Sequence, residues 1–149
     1  MLENFEVDTN IVKLRTDRFS SMKIIWDEGE YAPASVKAGE LVSCGACCGI
    51  AVNDAEDGDE LVVIYRADKI MLPCKGDIEV GTMLGAEYSA DEYSAGKWIM
   101  TENGNDVDGV GTIYTAISLE KIDTGEDVKW VLCDLLGSPV IIADEGAVT

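Results

Sequence analysis

Cys44, Cys47 and Cys48 are the tightest grouping of reactive side chains in this chain, in the run Cys44-Gly-Ala-Cys47-Cys48. Two thiolates at this spacing can face one point, as zinc binding and dithiol exchange require. A structural zinc needs four ligands. Cys74 and Cys133 are the remaining thiols, and the chain has no histidine. Redox use of the motif calls for a helix start, where the dipole lowers a thiol pKa. The flanks here are glycine-rich and strand-like, so the thiols read as small apolar side chains filling a tight β-corner. Without histidine, Ser-His and Cys-His nucleophile pairs are excluded, and acid–base work would fall to carboxylates, Lys, Tyr or Cys.

The carboxylates gather on turns. Asp54, Glu56, Asp57, Asp59 and Glu60 form one cluster; Asn103, Asn105, Asp106 and Asp108 form another. The second alternates like a calcium loop, but counting from Asn103 the place of the bidentate glutamate is taken by Tyr114. Both read as solvated loop tips. Nothing in the sequence sets two acids across a cleft, as glycoside hydrolysis would need. Gly109-Val-Gly111 lacks the third glycine and the helix of a nucleotide site. The expectation is a protein that is not an enzyme, with no catalytic residue, metal or cofactor.

The elements that would position these groups are strands. From Ala34 onward, glycines separate short runs such as Leu61-Val-Val-Ile-Tyr65, Thr112-Ile-Tyr-Thr-Ala-Ile117 and Val128-Lys-Trp-Val-Leu132. Such spacing predicts an all-β fold, a small β-barrel or β-sandwich. One phrase occurs twice: a strand, an acidic turn, then a Val-rich strand. It runs from Gly49 to Val63, and again from Gly111 to Val131. Ala38-Gly39-Glu-Leu-Val42 leads into the first copy and Val80-Gly81-Thr-Met-Leu84 precedes the second, which predicts an internal pseudo-duplication. Trp98, Trp130, Tyr65 and Tyr114 fall on these strands and are expected in core or cross-strand packing.

Residues 1–36 differ from the body at 37–149. Ile11-Val-Lys-Leu-Arg-Thr-Asp-Arg-Phe19 alternates apolar with polar, and Lys13, Arg15, Arg18 and Lys23 all fall here. The segment is either the first strand of the main sheet or an extended N-terminal arm that adds its edge to a neighbour. On the second use, Ile11, Lys13, Leu14, Arg15, Arg18, Phe19 and Trp26 form the interface with a neighbouring protein or protomer, with Trp26 as its aromatic anchor.

The chain has 149 residues and a net charge of −18. It is therefore repelled by nucleic acid and by anionic membranes. Five cysteines, an odd number, argue against a closed disulfide framework. The acidic start lacks the features of a signal peptide, which predicts synthesis in a reducing cytoplasm.

From Ala38 to Leu132 the chain resembles the small phage capsid decoration (cement) proteins of the DUF2190 family. The resemblance is carried by Ala38-Gly39-Glu-Leu-Val42, Gly49 to Val63, Ile70-Met-Leu-Pro73, Val80-Gly81-Thr82, Gly96-Lys-Trp-Ile99, Gly111 to Ile117 and Gly125 to Leu132. Residues 1–36 and the Cys44–Cys48 run stand outside it. It implies a β-tulip-like domain on the outer surface of the virion. The partners implied are the major capsid protein and the protein itself, with a trimer favoured over a dimer or monomer. A cysteine-based metal or redox module and a glycan-binding adhesion module, using Trp26, are the competing classes.

Overall fold

The computed structural model describes residues 13–16, 18–27, 35–43, 48–89, 97–107, 110–123 and 128–142. In chain order its strands are β1 (Phe19–Ile25), β2 (Ser35–Val36), β3 (Leu41–Ser43), β4 (Cys48–Ala51), β5 (Ala55–Glu56), β6 (Glu60–Lys75) and β7 (Asp77–Ile78). They continue as β8 (Met83–Ser89), β9 (Lys97–Thr101), β10 (Asn105–Val107), β11 (Gly111–Ser118), β12 (Ile122–Asp123) and β13 (Lys129–Ile142). The expected all-β class, a small barrel, is what the chain forms.

Five strands close a ring. β6 pairs with β13, β13 with β11, β11 with β8 and β8 with β9, all antiparallel. A short parallel pairing, Cys74 to Met100 and Lys75 to Thr101, returns β9 to β6. Closure leaves no open edge among these strands, except where a strand outruns its neighbour. β1 and β4 flank the N-terminal half of β6, β3 lies on β4, and β10 lies on β11.

The core follows from the side chains of β6. Ile64, Ala67, Ile70, Leu72 and Cys74 enter the main core, with Leu84, Met100, Ala116, Val131, Cys133 and Leu135 from the facing strands. Leu61 and Val63 enter a second core with Trp26, Val36, Val42, Ala51 and Ala55. Val63 and Ile64 are consecutive and both fully buried, so β6 is covered on both faces at that point. Strict alternation cannot supply that from one layer.

Both copies of the repeated phrase become antiparallel hairpins, and their lead-in turns match bond for bond. In the first, Glu40 N donates to Lys37 O, Gly39 N to Ala51 O, and Ala51 N to Glu40 O. In the second, Thr82 N donates to Glu79 O, Gly81 N to Ser118 O, and Ser118 N to Thr82 O. Each turn is held by the side chain that ends it. Glu40 Oε1 accepts from Lys37 N at 3.1 Å, and Thr82 Oγ1 from Glu79 N at 3.2 Å. Gly39 and Gly81 adopt φ of 93° and 87°, which a side chain would resist. Each copy also has its own two-stranded ladder, β2 with β5 and β7 with β12.

The described part of residues 1–36 is a strand of this same sheet. β1 runs antiparallel to β6, from Ile25 opposite Glu60 to Phe19 opposite Ala67. Further back, Leu14 bridges Ile70, with Arg15 N donating to Lys69 O at 2.9 Å and Met71 N to Lys13 O at 3.1 Å. Residues 13–16 and 18–27 are thus laid along β6, because Leu14 and Trp26 bury their side chains in the two cores; the rest of the expected arm lies outside the described residues. Ile11 lies outside the described residues.

Candidate functional site

Backbone alternation decides what the barrel shows to its surroundings. Leu14 and Ile70 are paired and buried, so their neighbours Lys13, Arg15, Lys69 and Met71 emerge on the outer face. On β13, Val131 and Cys133 point inward, and Trp130 and Leu132 emerge opposite Pro73 and Met71. Lys13 Nζ sits 4.8 Å from the centroid of the Trp130 ring. That is cation–π range. Trp130 is 37% exposed, against 3% for Trp26 and 9% for Trp98. The outer face therefore has an apolar floor of Trp130, Leu132 and Met71, with cations along one side.

Those cations are not spent within the fold. Among the described residues the ion pairs are Lys23 with Glu60 at 3.5 Å and Lys121 with Glu79 at 3.6 Å, both exposed. Arg15, Arg18, Arg66 and Lys69 are exposed and belong to neither. Arg15 makes one side-chain bond, to Leu14 O at 3.2 Å. At one end of the face, burial and the nearby Asp68 raise the Asp134 carboxyl above its ordinary value, while Arg66 pulls the other way.

A second exposed feature is the ribbon of β10, β11 and the far end of β13. There β13 has left β6 behind and pairs only with β11, Val140 opposite Tyr114 and Ile142 opposite Thr112. Val140, Ile141 and Ile142 are 39%, 47% and 56% exposed, and Val110 is 42% exposed. Consecutive strand residues point to opposite sides, so this ribbon end is apolar on both faces.

The groups singled out for chemistry have structural positions. Asp54 Oδ1 accepts from Ala38 N at 2.9 Å, Asp59 Oδ2 from Glu56 N at 2.9 Å, and Glu120 Oε1 from Leu132 N at 2.7 Å. The acidic turn is thus partly a set of backbone caps. Cys48, Cys74 and Cys133 are free thiols, and all are buried. The Cys48 and Thr115 side chains share a hydrogen bond of 2.9 Å. The neighbouring Cys133 thiol, together with burial, pushes the Cys74 thiol far above its ordinary value. A thiol held neutral in this way is a poor nucleophile and a poor metal ligand. Cys44 and Cys47, and the Asp106 and Asp108 side chains, lie outside the described residues.

Two aromatic expectations change places. Trp26 was expected to anchor an interface, but it is buried in the second core: its backbone N–H donates to Asp59 O at 2.8 Å and its backbone carbonyl accepts from Gly58 N at 2.7 Å. Trp130 was expected in packing; it lies opposite Pro73 in the strand register, yet it forms the exposed indole. Trp98 meets Tyr88 edge-on with ring centroids 5.2 Å apart, as strand aromatics commonly do. Of the other expected interface residues, Lys13, Arg15 and Arg18 reach the surface, Leu14 is core, and Phe19 packs partly buried against it. No protein-family model, curated protein or solved structure matches the chain.

Proposed function

We propose that this protein is a non-catalytic capsid decoration protein, bound to the outside of an assembled phage head and joining neighbouring major capsid subunits. The observation that carries the reading is the ribbon end at Val110 and Val140–Ile142, apolar on both faces and unused by the barrel's own core. Contiguous exposed apolar surface on a highly charged body favours a protein contact. A shell repeats its contact sites many times, so modest contacts sum by avidity. The sequence resemblance to cement proteins supplies the partner: the major capsid protein, with sister copies as a trimer. The protein would be made in the host cytoplasm and end on the virion's outer surface, away from nucleic acid and membrane.

The competing classes are less well supported. A thiol module would centre on Cys44, Cys47 and Cys48; of these Cys48 is buried, as are Cys74 and Cys133, and Cys44 and Cys47 lie outside the described residues. A glycan platform at Trp26 would need an indole that the second core already covers.

The test is co-sedimentation of purified protein with expanded heads that lack it, from the phage whose gene cluster encodes it. Saturable binding and a raised head disruption temperature are expected, both weakened by Ile141→Lys. Heads that neither bind the protein nor gain stability would end this reading.

A further inference from the structure

We infer that the outer face of β6 and β13, with the Lys13–Arg15 segment beside them, is a docking strip for an extended, carboxylate-rich protein segment. This goes beyond the capsid reading, which rests on the opposite kind of surface, the apolar ribbon end. Three observations converge. Arg15, Arg18, Arg66 and Lys69 are exposed cations outside both ion pairs of the described residues, in a chain whose net charge is −18. Arg66 acts on the Asp134 carboxyl, whereas Arg15, Arg18 and Lys69 have no carboxylate within 4 Å among the described residues, which leaves them open to a partner's carboxylates.

Their spacing carries structural information. Arg15 and Lys69 are exposed on neighbouring segments joined by the Arg15 N–Lys69 O bond, and Lys69 and Met71 alternate along β6; Lys13, with a φ of 59°, lies outside the extended run and turns over Trp130. Alternate side chains of a strand lie about 6.5–7 Å apart. A partner in extended conformation repeats its own alternate side chains at that distance, so it can set a carboxylate at Lys69 and its next alternate side chain over Met71. Arginine adds planar, bidentate recognition of carboxylate.

Beneath the cations, Trp130, Leu132 and Met71 give an apolar floor, and Lys13 Nζ already lies 4.8 Å from the Trp130 ring. A purely electrostatic strip would not need that floor; a peptide's aliphatic carbons use it. The whole-molecule charge selects among anions. Exposed charges are screened beyond about 8 Å at physiological salt. A short segment lying along the strip keeps within that distance of its cations. A membrane plane or a long duplex extends past them and meets the acidic remainder of the surface.

Trp130 makes the test direct, because it is the accessible indole; Trp26 and Trp98 are buried. The probe is a synthetic peptide alternating Glu with Ser, titrated against the intact protein while acrylamide quenching of tryptophan emission is followed. The peptide is expected to shield Trp130, and the shielding should vanish in Trp130→Phe. Arg15→Glu with Lys69→Glu should weaken binding at least about tenfold, since two charge-assisted contacts are reversed. Lys37→Glu and Lys121→Glu, away from the strip, should leave it unchanged. If the double reversal does not fold, Arg15→Gln with Lys69→Gln gives the same reading with a smaller loss. Equal affinity in the strip variants would overturn the inference. So would binding of duplex DNA or phosphatidylserine vesicles as tight as the peptide's. Self-association in sedimentation that the same reversal abolishes would also overturn it, by giving the strip to a second copy.

Discussion

Gly85→Ala tests the packing of β8 against the chain at Gly104–Asn105 and Ile113, where a Cβ has no room. A Cβ built on Gly85 would meet Ile113 O, lie 2.6 Å from Gly104 Cα, and lie 2.8 Å from Asn105 N. All three are backbone atoms of neighbouring segments, so none can rotate aside. Gly85 does not have a positive φ. On conformational grounds alone alanine would therefore stabilise by roughly 0.4–1 kcal/mol, by restricting the unfolded chain. Overpacking costs about 1–3 kcal/mol. The net expectation is a loss of about 1–2 kcal/mol, or roughly 2–8 °C in Tm for a domain of this size. Gly58 is the contrast: its φ is 91°, and nothing lies within 4 Å of a Cβ there. At Gly58, Asn should cost less than Ala, because Asn tolerates the left-handed region. At Gly85, the loss should grow with side-chain size whatever the residue. Urea unfolding with the m-value checked for constancy would measure both series. A Gly85→Ala protein as stable as the parent would refute the crossing of β8, β10 and β11 as described.

Asp134→Asn should raise the Tm at pH 7. The folded pKa is raised, so protonation favours the folded state, and that gain is lost as pH climbs through it; at pH 3 the variant and parent should coincide. The Cys74 thiol is raised from 9.0, so its neutral form stabilises the fold below about pH 9; unfolding becomes easier above that, by up to about 1.4 kcal/mol per pH unit. A Cys74→Ala variant should show a shallower decline in alkaline melting curves. Iodoacetamide applied to the native protein, followed by peptide mapping, should leave Cys48, Cys74 and Cys133 unmodified until denaturant is added. Glu120→Ala removes the 2.7 Å acceptor of Leu132 N and should cost about 1–2 kcal/mol in chemical unfolding, while Glu120→Gln keeps most of that bond.

The sequence by itself determined the local structure. Glycine at positions 39 and 81 demands a left-handed turn, and a polar residue one place later can hold that turn by its side chain. Both facts are written in neighbouring residues, so the duplication and its hairpins were legible. The net charge and the absence of histidine are compositional, and they limited the chemistry without any fold. Three things waited for tertiary structure. The alternation from Ile11 to Phe19 fits a free arm and a sheet strand equally, and only the pairing of Leu14 with Ile70 shows that residues 13–16 lie on the sheet. Ring closure rests on two parallel residue pairs between β6 and β9, too short to leave a pattern in either strand. The outer strip joins Lys13, Lys69 and Trp130, which are distant along the chain and become neighbours only through the register of β13 on β6. Register likewise buried Trp26 and exposed Trp130: a residue type states how much surface a side chain has, and only the fold states which way it faces.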